Sequence, residues 1–544
     1  MISRRLLLKH LAQGLGLAAA TGVLAACGGA ASAPPTGTTG PTSAPAGGAA
    51  PKPTTSAPAT TAPAAARPGG RLVVALSTDP QSMDPANTGE PQARSVRNTV
   101  TEALFDLDVN GNLVPRLAES WEQTDPTTYL IHLRKGIKFT DGTPFDASVA
   151  KFNFDRMTNP DTGNVWMSEI TQLASMEAVD SATVRLKTKQ PFAPALIPLY
   201  DVNGMQLSPA AVQRWGKDIG THPVGTGPYT FVEYVKDDHV TVERNPDYWQ
   251  SGKPYLDQVT FRVIPNDATR ETELRSGGAQ MVEYLPFQDV DRLKEMSDIV
   301  VSDKPGFRVD FLMFQVEKTP GSSKEFRQAW NYLIDSDAIQ SAVYRNTGGP
   351  AWDMLLPGTA FADPSYKPAT RDVGKAKELL AQSGVQLPTE LTMYIQQDPV
   401  RQREAQIVQA NVADADVKLN VEVIDTAGWN ARHKAGDFQV TLSWWGYRPD
   451  PDQYMPVLVK TGGSWNWTRW GNARVDELLN QEQTESDPAK RVQAFRQMAQ
   501  VITDEAAYIP YHYGSNIKGI STRVQGFQHR VDGLLRFVDL SLTA

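Results

Sequence analysis

Apolar and polar positions follow two different periods along this chain, and the two trade places repeatedly after residue 70. Leu72-Val73-Val74-Ala75-Leu76 is a short continuous apolar run, the pattern of a short buried strand. Ser95 to Phe105 carries Val96, Val100, Ala103 and Leu104 at helical spacing. Ala147 to Met157 predicts a second helix, with Asp146 or Ser148 at its N-cap. Tyr129–Leu133 and Val184–Leu186 alternate as strands. From Tyr229 on, Phe231, Tyr234, Val240 and Val242 alternate around a turn at Lys236-Asp237-Asp238. Helices are predicted over 326–334, 374–383, 400–412 and most of 474–505, and strands over 418–424 and 438–444. No fixed-period repeat is present. Alternating helices and strands predict α/β lobes, and 544 residues are too many for one core.

The first residues break this pattern. Arg4, Arg5, Lys9 and His10 precede an apolar, small-residue run from Leu11 to Ala26. That is the layout of a secretory signal, too short for a membrane span. Leu24-Ala25-Ala26-Cys27 resembles the bacterial lipobox, in which the cysteine thiol receives a diacylglyceryl group and becomes the new N-terminus. Two acyl chains give stable anchoring where one is marginal. Ser3-Arg4-Arg5-Leu6-Leu7-Leu8-Lys9 also resembles the twin-arginine export motif. Residues 28–66 are almost entirely Ala, Gly, Pro, Thr and Ser with one charge, Lys52, so they cannot offset their ordering entropy by burying apolar surface. Residues 1–26 are therefore read as a signal peptide and 27–67 as a lipid-anchored linker.

Composition narrows the function classes. The formal net charge is −8, and removing the basic signal makes the chain more acidic still, which argues against nucleic acid as a partner. Cys27 is the single cysteine, so neither an internal disulfide nor a cysteine metal cluster can form. Asp106-Leu107-Asp108-Val109-Asn110-Gly111 matches half of an EF-hand loop, but Leu117 stands where the bidentate acid belongs. A hairpin with a type I′ turn at Asn110-Gly111 is expected instead. Gly225-Thr226-Gly227-Pro228-Tyr229 lacks the ending of a phosphate loop and reads as a turn into a strand. No His-Glu-x-x-His or Gly-x-Ser-x-Gly motif appears, so no catalytic residue, cofactor or metal is predicted.

Aromatic residues stand out. Six of twelve tryptophans, Trp429, Trp444, Trp445, Trp465, Trp467 and Trp470, fall in one stretch. A flat apolar face with one N–H suits a cleft that grips an organic solute. In an extended segment Trp444 and Trp445 point to opposite faces, so one can be core and the other cleft.

Several segments, in order, resemble the extracytoplasmic solute-binding proteins of ABC importers, the family with oligopeptide-, dipeptide-, glutathione- and nickel-binding members. They are Ser82-Met83-Asp84-Pro85, Glu102-Ala103-Leu104-Phe105, Pro115-Arg116-Leu117-Ala118-Glu119-Ser120-Trp121, the run Leu133 to Pro144, Gly225 to Tyr229, Arg244-Asn245-Pro246-Asp247-Tyr248-Trp249, Phe326-Arg327-Gln328-Ala329, and Trp444 to Pro451. The resemblance implies a two-lobed, type II periplasmic-binding-protein-like fold that closes by a hinge motion. Lobe I would comprise 68–106, 201–282 and 511–544, an inserted domain 107–200, and lobe II 283–510. The implied cleft has Thr88, Gly89 and Glu90 on lobe I. Facing them are Trp429, Trp444, Trp445, Gly446, Tyr447, Arg448, Asn466 and Trp467 on lobe II.

In peptide-binding members an aspartate pairs with the peptide's α-amino group. Tyr447 stands at that position here, followed by Arg448. A buried ammonium without a carboxylate partner is costly, so the departure favours a hydroxyl-rich or anionic solute. Glu90 keeps peptides open, and sugars stack well on aromatic faces. The resemblance implies a monomer that works with the membrane subunits of an importer. The alternatives are a surface enzyme or a receptor on the same scaffold.

Overall fold

The structure is a computed structural model, and it describes residues 69–87, 91–306, 308–367, 369–446 and 448–543. All of these belong to one compact unit. Arg71–Leu76 lies mid-sheet, parallel to Gln258–Val263 on one side and Met281–Glu283 on the other. Leu72, Val74 and Leu76 pack with Val96 and Val100 of the helix Pro91–Val100, while Ala75 packs with Leu274 of the helix Asp267–Ser276. Both faces are thus covered, which is why this segment reads as a continuous apolar run rather than an alternating one. His239–Arg244 and Tyr229–Val235 extend the sheet on one side, and Lys518–Ser521 and Ile299–Ser302 on the other, to seven strands.

The helix Pro91–Val100 stops short of the expected end at Phe105. Gly227 N–H donates to Val100 O (2.8 Å), and Phe105 enters a hairpin strand, Phe105–Leu107. The Gly225-Thr226-Gly227 turn passes so close that a Cβ on Gly225 would sit 2.2 Å from Val100 O. The glycines are therefore there for close backbone approach, and the segment does lead into a strand, Tyr229–Val235.

A four-stranded antiparallel sheet follows, in the order Ala118–Asp125, Thr128–Leu133, Thr183–Thr188, Leu173–Asp180. Ile131, Leu133, Val184 and Leu186 face the helix Ala147–Thr158, packing on Ala150, Phe154 and Met157. Asp146 caps this helix by accepting from Ser148 N–H and Val149 N–H.

The third large sheet orders Gly349–Pro350, Tyr508–Gly514, Arg308–Phe314, Val440–Gly446, Thr389–Gln396 and Val417–Ile424. The helices Lys324–Leu333 and Pro399–Ala413 cover one face, and Ala473–Thr484 and Pro488–Glu505 the other. Most of 474–505 is helical as expected, in two helices, the second capped by Asp487 with Pro488 at its first position.

Ile299–Ser302 pairs with Lys518–Ser521 in the first sheet, and Tyr508–Gly514 pairs with Arg308–Phe314 in the third. A strand's own apolar pattern does not say which sheet it joins; its pairing partner, distant in sequence, does.

Four of the scattered motif segments meet at one carboxylate. Glu102 Oε1 accepts from Arg116 Nε (2.8 Å) and the Tyr248 hydroxyl (2.7 Å), and Oε2 accepts from Trp249 Nε1 (2.8 Å) and the Thr226 hydroxyl (3.0 Å). Asp84 is likewise held by Arg156 at 3.0 and 2.5 Å, and Asp450 by Arg491 at 2.7 Å on both oxygens. These charged motif residues build the frame, because each buried charge is paired.

Candidate functional site

The strands Arg308–Phe314 and Val440–Gly446 run antiparallel with Arg308 opposite Gly446 and Asp310 opposite Trp444. Their shared end faces the first lobe. There the Arg308 guanidinium lies 5.4 Å from the Trp444 ring centroid, a cation–π contact. Asp310, fully buried, orients that guanidinium by accepting from Arg308 Nε at 3.0 Å. It also accepts from Arg401 Nη2 at 2.6 Å, and Arg401 Nη1 reaches Glu404 (2.7 Å) and the Tyr511 hydroxyl (2.9 Å). Burial pushes the Asp310 carboxyl upward, but Arg308 and then Arg401 outweigh it and hold it below the usual carboxylate range. Beside this network is a cavity of about 210 Å³ walled by Tyr284, Leu285 and Ile517 from the first lobe and Arg308, Trp444 and His512 from the second.

Just beyond Gly446, Arg448 leaves the second lobe and is only 4% exposed. Its Nε is 2.7 Å from Glu169 Oε1 in the four-stranded domain, and its Nη1 is 3.8 Å from Asp201 Oδ2. Its guanidinium also lies 4.4 Å from the Trp166 ring centroid. Asp201 forms a second ion pair with Arg94 of the helix Pro91–Val100. Burial raises the Asp201 carboxyl, yet Arg94, Arg448 and Arg97 together bring it below its ordinary value. The Tyr200 phenol beside them is pushed far up by burial. The cleft thus has an aromatic–cationic cavity at one end and a buried cluster of arginines and carboxylates at the other.

Of the expected site residues, Trp444, Gly446 and Arg448 stand on this rim. Thr88, Gly89, Glu90 and Tyr447, like the lipidation candidate Cys27, lie outside the described residues. Trp445 points to the other face of its strand, edge-on to Trp465 with centroids 5.6 Å apart. Trp429, Asn466 and Trp467 belong to the second lobe's framework. Trp429 Nε1 donates to the Thr441 hydroxyl (3.1 Å) and its ring meets Trp467 edge-on. Asn466 Nδ2 donates to Lys460 O (2.9 Å) and Trp470 O (2.6 Å). The polar groups of Trp429 and Asn466 are spent inside the lobe, and the Trp467 ring packs in the same core.

The sequence reading missed Arg94, Trp166, Glu169, Tyr200, Asp201 and Arg308. One signal was available: Arg94 and Arg97 share a face, three apart, on a helix whose neighbours are nearly all buried. Trp166 and Glu169 sit in irregular chain and had no such signal.

The segment that resembles an EF-hand forms a hairpin between Phe105–Leu107 and Leu113–Pro115, with Leu107 opposite Leu113. Its loop is five residues rather than the expected two-residue type I′ turn, and Asp108 organises it by accepting from Asn110 N–H and Asn112 N–H. Asp106 is committed to Arg536 (3.0 Å) and Arg530 (3.2 Å). Among the described residues no cluster of His, Cys, Asp and Glu is arranged to hold a metal, and no helix is long and apolar enough to cross a membrane.

Comparison with known proteins agrees with this geometry. Residues 112–466 match the model of the bacterial extracellular solute-binding proteins, family 5. The glutathione-binding protein GsiB of Escherichia coli K12 is 30% identical over 484 residues, covering 87% of this chain and 94% of the relative. HbpA2 from Haemophilus parasuis superposes with a TM-score of 0.80 at 25% identity, over 87% of this chain and all of that one. DppA from Helicobacter pylori, an ABC transporter-associated periplasmic binding protein in complex with the peptide STSA, gives a TM-score of 0.73 at 25% identity over 88% and 98%. The chain belongs to the family 5 bacterial extracellular solute-binding proteins, and its role is to capture a solute outside the cytoplasm and deliver it to an ABC importer.

Proposed function

We propose that the protein is an exported lipoprotein, anchored through Cys27 and tethered by residues 28–66, that works as a monomer and closes its lobes on one small organic solute. The solute is peptide-like, a short oligosaccharide or an anionic compound. The observation that carries the reading is the Arg448 side chain, which leaves the second lobe and lies buried against Glu169 and Asp201 on the opposite side. A buried ion pair between side chains from the two sides of a cleft repays its desolvation only when those sides meet with good geometry. The Arg308–Trp444 wall beside it supplies the flat, cationic face a solute would rest on.

Glutathione and peptides are what the relatives GsiB and DppA bind, and they set the size of solute to test. Tyr447 in place of an aspartate works against a free α-amino group in the usual place, while Arg448 suits a carboxylate. Binding and release suffice for this role, and nothing in the cleft calls for bond making. The membrane subunits of the importer then recognise the closed shape.

Native mass spectrometry of the freshly purified protein, followed by titration with glutathione, peptides and maltotriose under tryptophan fluorescence, tests the reading. One bound small molecule and a saturable fluorescence change on closure are expected. Turnover of the solute, or tight binding of a macromolecule with an open cleft, would replace this reading with the enzyme or the receptor.

A further inference from the structure

Three side chains at the Arg448 end of the cleft carry donor groups that the frame leaves idle. Arg94 is fully buried, and although Nη2 pairs with Asp201, its Nε and Nη1 have no hydrogen-bond partner among the described residues. The Tyr200 hydroxyl, on a residue 3% exposed, and the buried Trp166 Nε1 are also without a partner there. Burying an N–H or O–H without an acceptor forfeits its hydration, and native structures rarely leave several such groups together. The three come from different parts of the chain: a lobe I helix, the four-stranded domain's irregular segment and the turn Ile197–Tyr200.

Other contacts show that they share one place. Arg94 and Arg448 both lie close enough to Tyr200 to act on its phenol, and Arg448 covers the Trp166 ring at 4.4 Å. The idle groups of Arg94, Tyr200 and Trp166 can all donate, and three guanidinium groups, Arg94, Arg97 and Arg448, surround the single Asp201 carboxylate. Such a set is complementary to an acceptor-only group. Glu169 and Asp201 are the only carboxylates the described residues place against Arg448, and both already take an arginine.

We propose that Arg94, Tyr200 and Trp166 form a subsite for a carboxylate of the solute, over which Arg448 closes when the lobes meet, so that the cargo is a carboxylate-bearing organic anion. This rests on the solute-capture reading above and narrows its substrate class. Arg94 supplies a charge-assisted bond, and Tyr200 and Trp166 supply neutral donors that fix the carboxylate's position. Access requires lobe opening, because Arg448 travels with the second lobe while the three donors sit outside it.

The test uses the full chain purified in detergent, titrated calorimetrically with succinate, N-acetyl-tri-alanine, tri-alanine amide, maltotriose and inorganic phosphate up to about 10 mM, the range of weak but specific binding. Binding of succinate or N-acetyl-tri-alanine, with no response to the amide, is expected. Tyr200→Phe and Trp166→Phe should each weaken the bound carboxylate about 10-fold and Arg94→Met about 100-fold, the range for hydrogen bonds to charged groups. Arg94→Met also removes an ion pair, so the two conservative variants, whose melting temperatures should stay near wild type, decide the matter if it misfolds. Equal affinity for acid and amide, a preference for phosphate, or unchanged affinity in both conservative variants overturns the subsite. Saturable maltotriose or amide binding with a tryptophan change would leave solute capture standing while removing the carboxylate; no response to any probe would overturn both.

Discussion

Arg448 Nε lies 2.7 Å from Glu169 Oε1, joining the segment that leaves the second lobe's sheet to the four-stranded domain. The two residues are 279 positions apart, and neither is more than 10% exposed at its side chain. Such a pair favours the closed arrangement only while both partners are present. Arg448→Met is expected to leave Glu169 buried without its partner and cost about 2–5 kcal/mol in closure and solute affinity. Small-angle scattering should show a larger radius of gyration for the variant, and titration a weaker solute. Adding Glu169→Met should recover part of the loss, because the double variant no longer buries a lone charge. A variant with wild-type radius and affinity would remove the latch role.

Glu102 serves four donors and has no exposed function of its own. Glu102→Ala should destabilise the fold by about 3–5 kcal/mol, since it leaves Arg116, Tyr248, Trp249 and Thr226 donors buried around a gap. The denaturant midpoint should fall by a matching amount with little change in slope. A shift below about 1 kcal/mol would mean that water replaces the carboxylate.

Two buried histidines make stability depend on pH. Burial pushes His433 down to about 4 and His512 to about 3, in the second case despite the nearby Asp310. Their folded values lie below the unfolded value near 6.5, so on acidification the unfolded chain takes up protons first. The stability they contribute is full above about pH 7 and is lost as pH falls toward 4. Each adds a slope of up to about 1.4 kcal/mol per pH unit in that window. Comparing wild type with His433→Gln by denaturant melts at pH 7, 6 and 5 isolates one such slope. Parallel curves for the two proteins would show that His433 does not titrate this way.

Anchoring is tested separately from folding, because Cys27 precedes the described residues. Cys27→Ala should move the protein from the membrane pellet to the soluble fraction while leaving solute affinity unchanged, since two acyl chains supply the attachment. Persistence in the pellet after a high-salt wash would show that another contact holds it there.

Tyr447→Asp tests why this chain departs from the peptide-binding pattern. Placing a carboxylate at that position should create affinity for a free α-amino peptide such as tri-alanine and lower affinity for anions, each by about 10-fold or more. Unchanged preference would mean that position 447 does not face the solute.

The sequence by itself determined the parts that depend on local patterning. The apolar run Leu72–Leu76, the alternation from Tyr229 to Val242 and the Asp146 cap each specify an element through residues close in sequence. The ordered motifs were enough to point to the family, although their charged residues, Asp84, Glu102 and Asp450, turn out to hold the frame. Tertiary structure alone decided which sheet Ile299–Ser302 and Tyr508–Gly514 join, because strand pairing links residues about 200 positions apart. It also decided which tryptophans reach the cleft. Trp444 and Trp445 have the same chemistry and adjacent positions, yet one meets Arg308 and the other Trp465. The cluster of Arg94, Trp166, Glu169, Tyr200, Asp201 and Arg448 draws on four separate parts of the chain. Its members could not be recognised singly, because buried charges and idle donors gain meaning only from the neighbours that folding brings to them.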